Sequence, residues 1–260
     1  MNILETIVAK KQLEVKERMA IKPIKALEQE AYFARPTFSL TEFLSDKNRT
    51  GIIAEFKRKS PSKGIINADA TVASVTAAYA EYASGISVLT DTEFFGGSTE
   101  DLLNARFNQV PILRKDFMIN EYQVYEAKAM GADVILLIAA CLSTTAVKEL
   151  GACAKALGME VLLEIHDENE LGHINDMVDM IGVNNRNLKT FEVDIQTSLS
   201  LIKQIPAGKP AIAESGISNV DTIVTLRQAG FTGFLIGENF MKTADPSIAF
   251  TDFIHQLKAK

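Results

Sequence analysis

Glu55, Lys57 and Ser60 form the first group in this sequence that could carry out chemistry. They stand in the stretch GIIAEFKRKSPSKG, residues 51–64, which begins as a short apolar strand. Side chains alternate along a strand, so Glu55 and Lys57 are predicted to share one face, with Phe56 on the other. A carboxylate and an ammonium that leave water together cost free energy unless they are paired or used. We interpret the group as part of a catalytic site; a salt-bridged strand end is the alternative.

A regular alternation of apolar and amphipathic segments begins at residue 51 and indicates the elements that must position these side chains. The predicted strands are Ile52–Lys57, Ile86–Thr90, Pro111–Lys115, Val134–Ile138, Val161–Ile165, Ile181–Asn184, Ala211–Ser215 and Phe234–Gly237. The predicted helices are Thr71–Ser84, Glu100–Arg106, Glu121–Met130, Thr144–Leu157, Glu168–Ile174, Ile195–Gln204, Asn219–Ala229 and Pro246–Leu257. Eight strands that alternate with eight helices predict an α/β fold, a (β/α)8 TIM barrel. An open doubly wound sheet is the competing architecture, although no GxGxxG motif follows the first strand.

The segment before the first strand predicts a helical extension, residues 1–48, that covers the barrel. Apolar residues recur at helical spacing through residues 2–20, Pro23 begins a second short helix, and a third follows Ser39. The extension is too short to own a core, so we expect one domain over residues 1–260. Left-handed C-caps are expected at four glycines just past predicted helices: Gly85, Gly131, Gly158 and Gly230.

Polar side chains and glycines stand at the ends of six predicted strands. They are Glu55, Lys57, Lys115, Glu164, Asn184, Glu214, Ser215, Gly216 and Gly237. All strands of a parallel barrel end at the same face, where barrel active sites are built. Because accidental salt bridges rarely form a pattern of this extent, the sequence predicts one catalytic site at this face.

A phosphate cradle is predicted from Ser215-Gly216 and Gly237-Glu238, which follow the seventh and eighth strands. Barrels hold phosphate at this position with backbone N–H groups and a short helix N-terminus. Lys57 could add a charge-assisted hydrogen bond. Glu238 is expected to contribute its backbone amide while its carboxylate turns away. The alternative is that the glycines only make tight turns.

Apolar residues near the same face could line a pocket for an aromatic ring, although each one alone is typical of ordinary packing. They are Phe94, Phe95, Phe117, Leu137, Leu188 and Phe191. A ligand with a phosphate at one end and an aromatic ring at the other would use both the cradle and this pocket.

Composition narrows the class of protein. The chain has 260 residues, of which 47% are hydrophobic and 23% charged, so a sizeable core is available and disorder is not expected. The net charge of −6 argues against a nucleic-acid or anionic-membrane binder, whose surface would be basic. A small anionic substrate can still bind in a local basic pocket. The longest apolar run, Val134 to Leu142, is too short to span a bilayer.

The remaining signals concern the cellular compartment and metal binding. The amphipathic start of the chain does not resemble a secretory signal, and Cys141 and Cys153 are expected to be reduced thiols, so we expect a cytoplasmic protein. His166, His173 and His255 are not spaced as metal ligands, so no metal site is predicted. His166 shares a strand end with Glu164 but is interpreted as a loop or structural histidine.

Seven stretches of the sequence resemble the indole-3-glycerol phosphate synthase family of tryptophan biosynthesis: IIAEFKRKSPSKG, SVLTDTEFFGGS, PILRKDF, LLEIHDENE, IGVNNRNL, AESGIS and LIGENF. With the helical start they cover essentially the whole chain. The resemblance implies a carboxy-lyase without a cofactor. Members convert 1-(2-carboxyphenylamino)-1-deoxyribulose 5-phosphate to indole-3-glycerol phosphate and release carbon dioxide and water. The family's motif positions fall here on Glu55, Lys57, Ser60, Lys115, Glu164, Asn184, Arg186, Ser215 and Gly237.

The resemblance also carries expectations about binding and about departures from the family. The candidate substrate-binding residues are Ser60, Arg186, Ser215, Gly216, Gly237, Glu238, Phe117 and Leu188. The expected partner is a small phosphorylated substrate, not a nucleic acid or a membrane, and no signal for an oligomeric state is present. Several members carry an aromatic residue near the substrate ring in the first helix, whereas this sequence has no Trp. A fused phosphoribosylanthranilate isomerase domain is not expected.

The predicted catalytic residues are Lys115, Glu164, Lys57, Glu55 and Asn184. Ring closure requires the ketone oxygen to be protonated as an aromatic carbon attacks, and Lys115 is the candidate general acid. Clustered cations and partial burial are expected to lower the pKa of Lys115, with nearby carboxylates opposing that shift. Glu164 is the candidate base or cation stabiliser; the alternative is that Lys57 and Glu55 share the dehydration step. Asn184 is expected to orient substrate hydroxyls or a carboxylate, and Lys57 to hold the substrate carboxylate.

Two other functions fit parts of the pattern. One is a different phosphosugar-handling barrel enzyme such as phosphoribosylanthranilate isomerase, whose Amadori chemistry does not need two lysines at the mouth. The other is a phosphate-ligand sensor without catalysis, which would need neither Lys115 nor Glu164.

Overall fold

Eight parallel strands close into a barrel within the part of the chain that this computed structural model describes, residues 3–188 and 190–260. The barrel strands β1 to β8 are, in chain order, Ile52–Phe56, Gly85–Leu89, Ile112–Lys115, Val134–Ile138, Glu160–Ile165, Met180–Asn184, Ala211–Glu214 and Gly233–Ile236. Each strand pairs with its neighbours in sequence, and β8 pairs with β1 in a register that sets Phe234 beside Ile52. The closed barrel confirms the predicted (β/α)8 fold over the open doubly wound sheet.

The helices α1 to α11 are Ile3–Ile21, Ile24–Leu27, Leu40–Ser45, Val72–Tyr82, Thr99–Ala105, Glu121–Met130, Thr144–Ala156, Gln196–Leu201, Val220–Ala229, Glu238–Met241 and Pro246–Lys258. The segment predicted as a helix over Glu168–Ile174 is a 3₁₀ helix, Glu168–His173. A small antiparallel hairpin, Lys59–Ser60 with Gly64–Ile65, follows β1, and one-turn α10 follows β8. The short helix agrees with the helix N-terminus expected after the eighth strand, whereas the hairpin was not predicted, because two-residue strands are too short to show a periodic pattern.

Three of the four glycines predicted to be left-handed adopt that conformation. Gly131 and Gly230 cap α6 and α9 with φ of 86° and 115°, and Gly158 follows α7 with φ of 74°. The prediction for Gly85 is wrong, because α4 ends at the extended residue Ala83 and Gly85 is already the first residue of β2. A Cβ at this position would lie 2.8 Å from Leu40 Cδ1, so Gly85 is needed for close packing.

Side chains of the barrel strands form two separate apolar layers. Alternate residues such as Ile53, Leu136 and Leu235 point into the barrel, while their neighbours pack against the surrounding helices. Almost every strand residue is buried, as expected where both faces of a parallel sheet are covered. Leu137 belongs to the outer layer, since Leu136 and Ile138 on either side point inward.

The N-terminal extension covers both ends of the barrel. Ile7 of α1 packs on the inner layer at the carboxyl ends of the strands. Leu40 and Leu44 of α3 pack on the same layer from the other end, against Gly85 and Gly233, where β2 and β8 begin. Across the described ranges, no helix is both long enough and apolar enough to cross a membrane.

Candidate active site

Four ionisable side chains and one amide, from five barrel strands, meet in one cavity at the carboxyl ends of those strands. Glu55 comes from β1, Lys115 from β3, Glu164 from β5, Asn184 from β6 and Glu214 from β7. Each side chain points into the barrel because it lies on the inward-facing side of its strand. Together they form the last inward-facing layer before the solvent. The fold therefore brings together the side chains that the sequence places more than 150 residues apart.

Lys115 lies at the centre of this cluster. Its Nζ is 2.8 Å from Glu164 Oε2 and 3.5 Å from Glu214 Oε2. Asn184 Nδ2 donates to Glu164 Oε1 at 3.1 Å, and His166 Nε2 lies 3.2 Å from the same oxygen. Glu164 thus has three partners on two oxygens, whereas Glu214 has one ammonium at a longer distance.

The unequal surroundings separate the protonation states of the two carboxyl groups. Burial alone would raise the pKa of Glu164, but the Lys115 ammonium and the His166 ring bring that pKa well below its usual range. Burial also raises the pKa of Glu214; Lys115 only partly opposes this, and the charges of Glu164 and Glu55 raise it further, to about 8. At neutral pH, Glu164 is therefore ionised and Glu214 carries a proton. Two carboxyl groups with pKa values driven apart are typical of acid and base roles.

The expectation that neighbouring cations lower the pKa of Lys115 is wrong. Burial does lower it, but the carboxylates of Glu164, Glu214 and Glu55 outweigh burial and raise the Lys115 pKa above its ordinary value. The second lysine, Lys57, is occupied with Glu55, whose Oε1 lies 2.6 Å from Lys57 Nζ. Lys115 is consequently a firmly protonated ammonium among acids.

His166 is held between two carboxylates at the edge of the cluster. Its Nδ1 lies 3.2 Å from Glu170 Oε2, opposite the contact between Nε2 and Glu164. Burial lowers the pKa of His166, but the hydrogen bonds to both carboxylates raise it to about 10. His166 is therefore a cation in contact with Glu164, and through this contact it belongs to the charged cluster.

Gly237 accommodates the side chain of Glu55. A Cβ at Gly237 would lie 2.8 Å from both Glu55 Cβ and Glu55 Oε1. The φ of Gly237 is −128°, which other residues adopt without strain, so packing and not backbone conformation requires glycine here. Gly182 on β6 similarly makes room for Glu214, whose Oε1 would lie 2.2 Å from a Cβ.

A polar compartment adjoins the charged cluster, next to β7 and β8. It is lined by Lys63, Arg186, Ser215, Gly216, Gly237, Glu238 and neighbouring residues. Ser215 and Gly216 are both left-handed, with φ of 65° and 75°. A left-handed serine is uncommon, and strain of this kind concentrates at functional sites. The turn exposes backbone groups beside two cationic side chains, as a cradle for an anion requires.

The carboxylate of Glu238 does not turn away from the site as expected. It lies 3.5 Å from Arg186 Nη2 and 3.9 Å from Lys63 Nζ, and it lines both the polar compartment and the cavity around Lys115. The cause is electrostatic: Glu238 follows the turn after β8 and finds the two cations that face it across the mouth.

An apolar compartment forms part of the cavity that holds the charged cluster. Its walls are Ile3, Leu4, Ile7, Phe95, Phe117, Leu136, Ile138, Leu188 and Phe191. Leu137 is not among them because it faces the outer helices, and Phe94 packs on the inner layer instead. The walls from α1 are aliphatic, at the place where the resemblance leads one to look for an aromatic residue.

Every residue predicted to be catalytic or substrate-binding lies at this mouth: Glu55, Lys57, Ser60, Lys115, Phe117, Glu164, Asn184, Arg186, Leu188, Ser215, Gly216, Gly237 and Glu238. The hydroxyl of Ser60 is buried and makes no hydrogen bond to any residue that the structure describes. Glu214 was expected at this face among the strand-end residues but not among the catalytic residues, and neither the contacts of His166 nor the walls from α1 were predicted. Glu214 carried a usable signal, since it ends β7 as Glu164 stands near the end of β5.

Fold and site together define a class: an enzyme-type TIM barrel with a cluster of buried ionisable side chains and an adjoining polar compartment at the carboxyl ends of its strands. The family model described as indole-3-glycerol phosphate synthase matches residues 4–253. The chain belongs to the indole-3-glycerol phosphate synthase family.

Relatives of this name match over nearly their whole length. The indole-3-glycerol phosphate synthase of Bacteroides thetaiotaomicron is 46% identical over 259 residues, covering 99% of each chain. That of Albidiferax ferrireducens is 43% identical over 257 residues, covering 96% of this chain and 97% of the relative. A solved structure of a mutant tryptophan synthase α-subunit from Pyrococcus furiosus superimposes with a TM-score of 0.62 at 17% identity, covering 82% of this chain and 99% of that one. This last likeness shows the fold alone.

Proposed function

We propose that this chain catalyses the reaction of its family, the decarboxylative ring closure and dehydration of 1-(2-carboxyphenylamino)-1-deoxyribulose 5-phosphate to indole-3-glycerol phosphate. The observation that supports this most directly is the position of Lys115. Its ammonium, shared between ionised Glu164 and protonated Glu214, lines the cavity that has the apolar walls and that adjoins the polar compartment. A substrate with an aromatic ring at one end and a phosphate at the other would present its ketone to this ammonium.

The two compartments suggest how the substrate is held. The carboxyphenyl ring would lie against Phe117 and Leu188, where burial of apolar surface supplies affinity. The phosphate would bind at Ser215, Gly216 and Gly237. It would also replace Glu238 as the ion-pair partner of Arg186. Lys57, which lines both compartments, is placed to hold the substrate carboxylate.

Ring closure forms a carbon–carbon bond between the ring carbon that bears the carboxylate and the ketone carbon. The ketone oxygen gains a proton, and we assign that proton to Lys115. The carboxylates around Lys115 keep it protonated. It donates its proton only when the ketone oxygen of the substrate gains negative charge. Loss of carbon dioxide then returns the bonding electrons to the ring system. The ionised carboxylate of Glu164 would stabilise the positive charge that develops on the substrate nitrogen.

Dehydration needs an acid for the departing hydroxide and a base for the last ring proton. Glu214 is protonated near neutral pH and lies in the same cavity, so we add it to the residues that could exchange these protons. Glu164 is the other candidate for the base, with Asn184 fixing its orientation through the 3.1 Å hydrogen bond. Lys57 and Glu55 remain a second pair that could share this step. The substrate is consumed and the product, carbon dioxide and water are formed without any cofactor in this scheme.

The proposal is tested by incubating the purified protein with the carboxyphenylamino deoxyribulose phosphate and following indole fluorescence. The chain has no Trp, so the product signal rises above a low protein background. Product formation that requires the enzyme supports the proposal. No product, with or without tight binding of the substrate, would favour the phosphate-ligand sensor; conversion of phosphoribosylanthranilate instead would favour the isomerase.

The proposal places the protein in tryptophan biosynthesis, in the cytoplasm, with a small phosphorylated molecule as its partner. Neither cysteine forms a disulfide within the described ranges, which is typical of a reducing compartment. The net charge of −6 supports a small-molecule partner rather than a nucleic acid.

A further inference from the structure

Lys11 of α1 is a charged residue buried outside the catalytic cluster, with only 2% of its side chain exposed. Its Nζ lies 2.7 Å from Asp91 Oδ2, 2.9 Å from Glu14 Oε2 and 3.1 Å from Asp116 Oδ1. Asp91 follows β2 and Asp116 follows β3. One ammonium therefore joins α1 to the two loops that follow neighbouring barrel strands.

Both aspartates also hold the backbone of aromatic residues at the site. Asp91 Oδ1 accepts hydrogen bonds from the backbone N–H of Phe94 at 2.8 Å and of Phe95 at 3.2 Å. Asp116 Oδ1 accepts from the backbone N–H of Phe117 at 2.8 Å. Phe95 and Phe117 line the apolar compartment, and their rings lie 5.9 Å apart.

Lys11 therefore lies behind three walls of the apolar compartment at once. The wall from α1 consists of Ile3, Leu4 and Ile7, one to two turns before Lys11 on the same helix. The other two are the loops of Phe95 and Phe117. Without the ammonium, the carboxylates of Asp91 and Asp116 would face each other in a buried space, and Arg114 would remain as a charged partner of Asp116 only.

Electrostatics support this arrangement. Burial lowers the pKa of Lys11, but Asp116, Asp91 and Glu14 outweigh it and the pKa is raised. Burial raises the pKa of Asp116, but Arg114 and Lys11 outweigh it and the pKa is lowered. Lys11 and Asp116 are therefore both charged across the neutral range, and their contact is a permanent ion pair.

We infer that Lys11 is a positioning residue for the aromatic ring of the substrate: it fixes α1 and the loops of Phe95 and Phe117 as the walls of the apolar compartment. This inference rests on the proposed function. Lys11 touches no reacting atom in the proposed scheme, so its loss should weaken binding of the ring and leave the anion cradle intact.

The test compares Lys11→Met with Lys10→Met. Lys10 is the adjacent residue on α1 and forms a 3.1 Å ion pair with Glu93, with 47% of the Lys10 side chain exposed. Two probes are titrated calorimetrically: indole-3-glycerol phosphate, which would fill both compartments, and inorganic phosphate, which would occupy only the cradle. Lys11→Met should raise the Kd for indole-3-glycerol phosphate and the KM for substrate by about 10-fold, equivalent to about 1.4 kcal/mol. The Kd for phosphate should stay within about 2-fold, and Lys10→Met should leave all three values unchanged.

Equal weakening of both probes would show that Lys11 only stabilises the fold, and values equal to those of Lys10→Met would overturn the inference outright. If Lys11→Met does not fold, Lys11→Met/Asp91→Asn removes the charge conflict while an amide oxygen still accepts from Phe94 and Phe95. The same selective loss of the indole probe is expected of this double variant, and its absence contradicts the inference.

Amide hydrogen exchange separates this inference from the proposed function. Residues 4–8, Phe95 and Phe117 should exchange faster in Lys11→Met than in Lys10→Met, whatever the protein binds. If the unmodified chain binds no indole-3-glycerol phosphate, the proposed function fails. The positioning role of Lys11 is then tested by amide hydrogen exchange alone. Unchanged exchange at these positions would contradict the positioning role.

Discussion

At the scale of single residues, the acid–base cluster works through unequal sharing of one ammonium. Glu164 has Lys115, Asn184 and His166 as partners and is ionised, while Glu214 has a longer contact with Lys115 and keeps its proton. Neighbouring carboxyl groups of different protonation can exchange protons with one substrate without help from solvent. In the proposed mechanism, two glutamates and one lysine therefore serve consecutive steps.

Lys115→Met should lower kcat on the order of 100-fold or more while changing KM much less, because a general acid acts in the transition state. Steady-state kinetics with the carboxyphenylamino deoxyribulose phosphate measures both. Lys155→Met is a matched control, since Lys155 pairs with Asp179 at the opposite end of the barrel. A variant at Lys115 with nearly normal turnover would exclude that residue as the acid.

Glu214→Gln should reveal whether the proton on Glu214 is used. In the unmodified enzyme kcat should fall as pH rises through about 8, where Glu214 loses its proton. Glu164 titrates well below this range and Lys115 above its ordinary value, so neither produces the same inflection. Glu214→Gln should lower kcat on the order of 100-fold and remove the inflection. Measurements of kcat from pH 6 to 10 decide, and an inflection that persists in the variant would point to another group.

At the scale of elements, a carboxyl side chain at one strand end packs against a glycine of the neighbouring strand or of the turn that follows it. β1 brings Glu55 against the turn after β8, and β7 brings Glu214 against Gly182 of β6. Each glycine on one strand matches a carboxyl side chain on its neighbour. The catalytic geometry therefore depends on the packing of adjacent strand ends as much as on the reacting groups.

Gly237→Ala tests this matching of neighbours. The backbone of Gly237 tolerates alanine, but the new methyl would lie 2.8 Å from Glu55 and must displace its carboxylate from Lys57. Overpacking of this kind costs about 1–3 kcal/mol, so kcat should fall by about 10-fold or more. Gly172→Ala is the control, because nothing lies within 4 Å of a Cβ there. Should only the Kd for inorganic phosphate change, Gly237 would serve the cradle and not Glu55.

At the scale of the whole molecule, the extension closes both ends of the barrel. Leu40 and Leu44 of α3 fill one end, and α1 covers the other through Ile7 and Lys11. The charged cluster is consequently enclosed between apolar side chains on one side and helix α1 on the other. This burial is the main reason that the pKa of Glu214 is raised to about 8.

The buried proton on Glu214 should also be visible in global stability. Its pKa is about 8 in the folded state and near 4.5 when unfolded, so the folded state binds more protons between these values. Stability should therefore fall as pH rises from about 5 to about 8, by an amount on the order of a few kcal/mol from this group. Urea unfolding of the unmodified protein and of Glu214→Gln at pH 5, 7 and 9 isolates the contribution. The free-energy difference between them should shift in favour of the variant as pH rises, and a constant difference would contradict the raised pKa.

The sequence by itself determined the barrel and the membership of its mouth. Short strands that are apolar nearly throughout, helices between them and polar residues at strand ends are local patterns, and the parallel barrel brings all strand ends to one face. Glu55, Lys115, Glu164 and Asn184 could be predicted as neighbours for this reason alone.

Only the tertiary structure decided how those neighbours share charge. Lys115 has carboxylates and not cations around it, Glu238 faces Arg186, Gly85 packs on Leu40, and α1 supplies walls of the site. These features depend on distances between side chains that are far apart in the chain. Electrostatic energy falls with distance and rises with burial, so protonation states follow from three-dimensional placement and not from the local pattern.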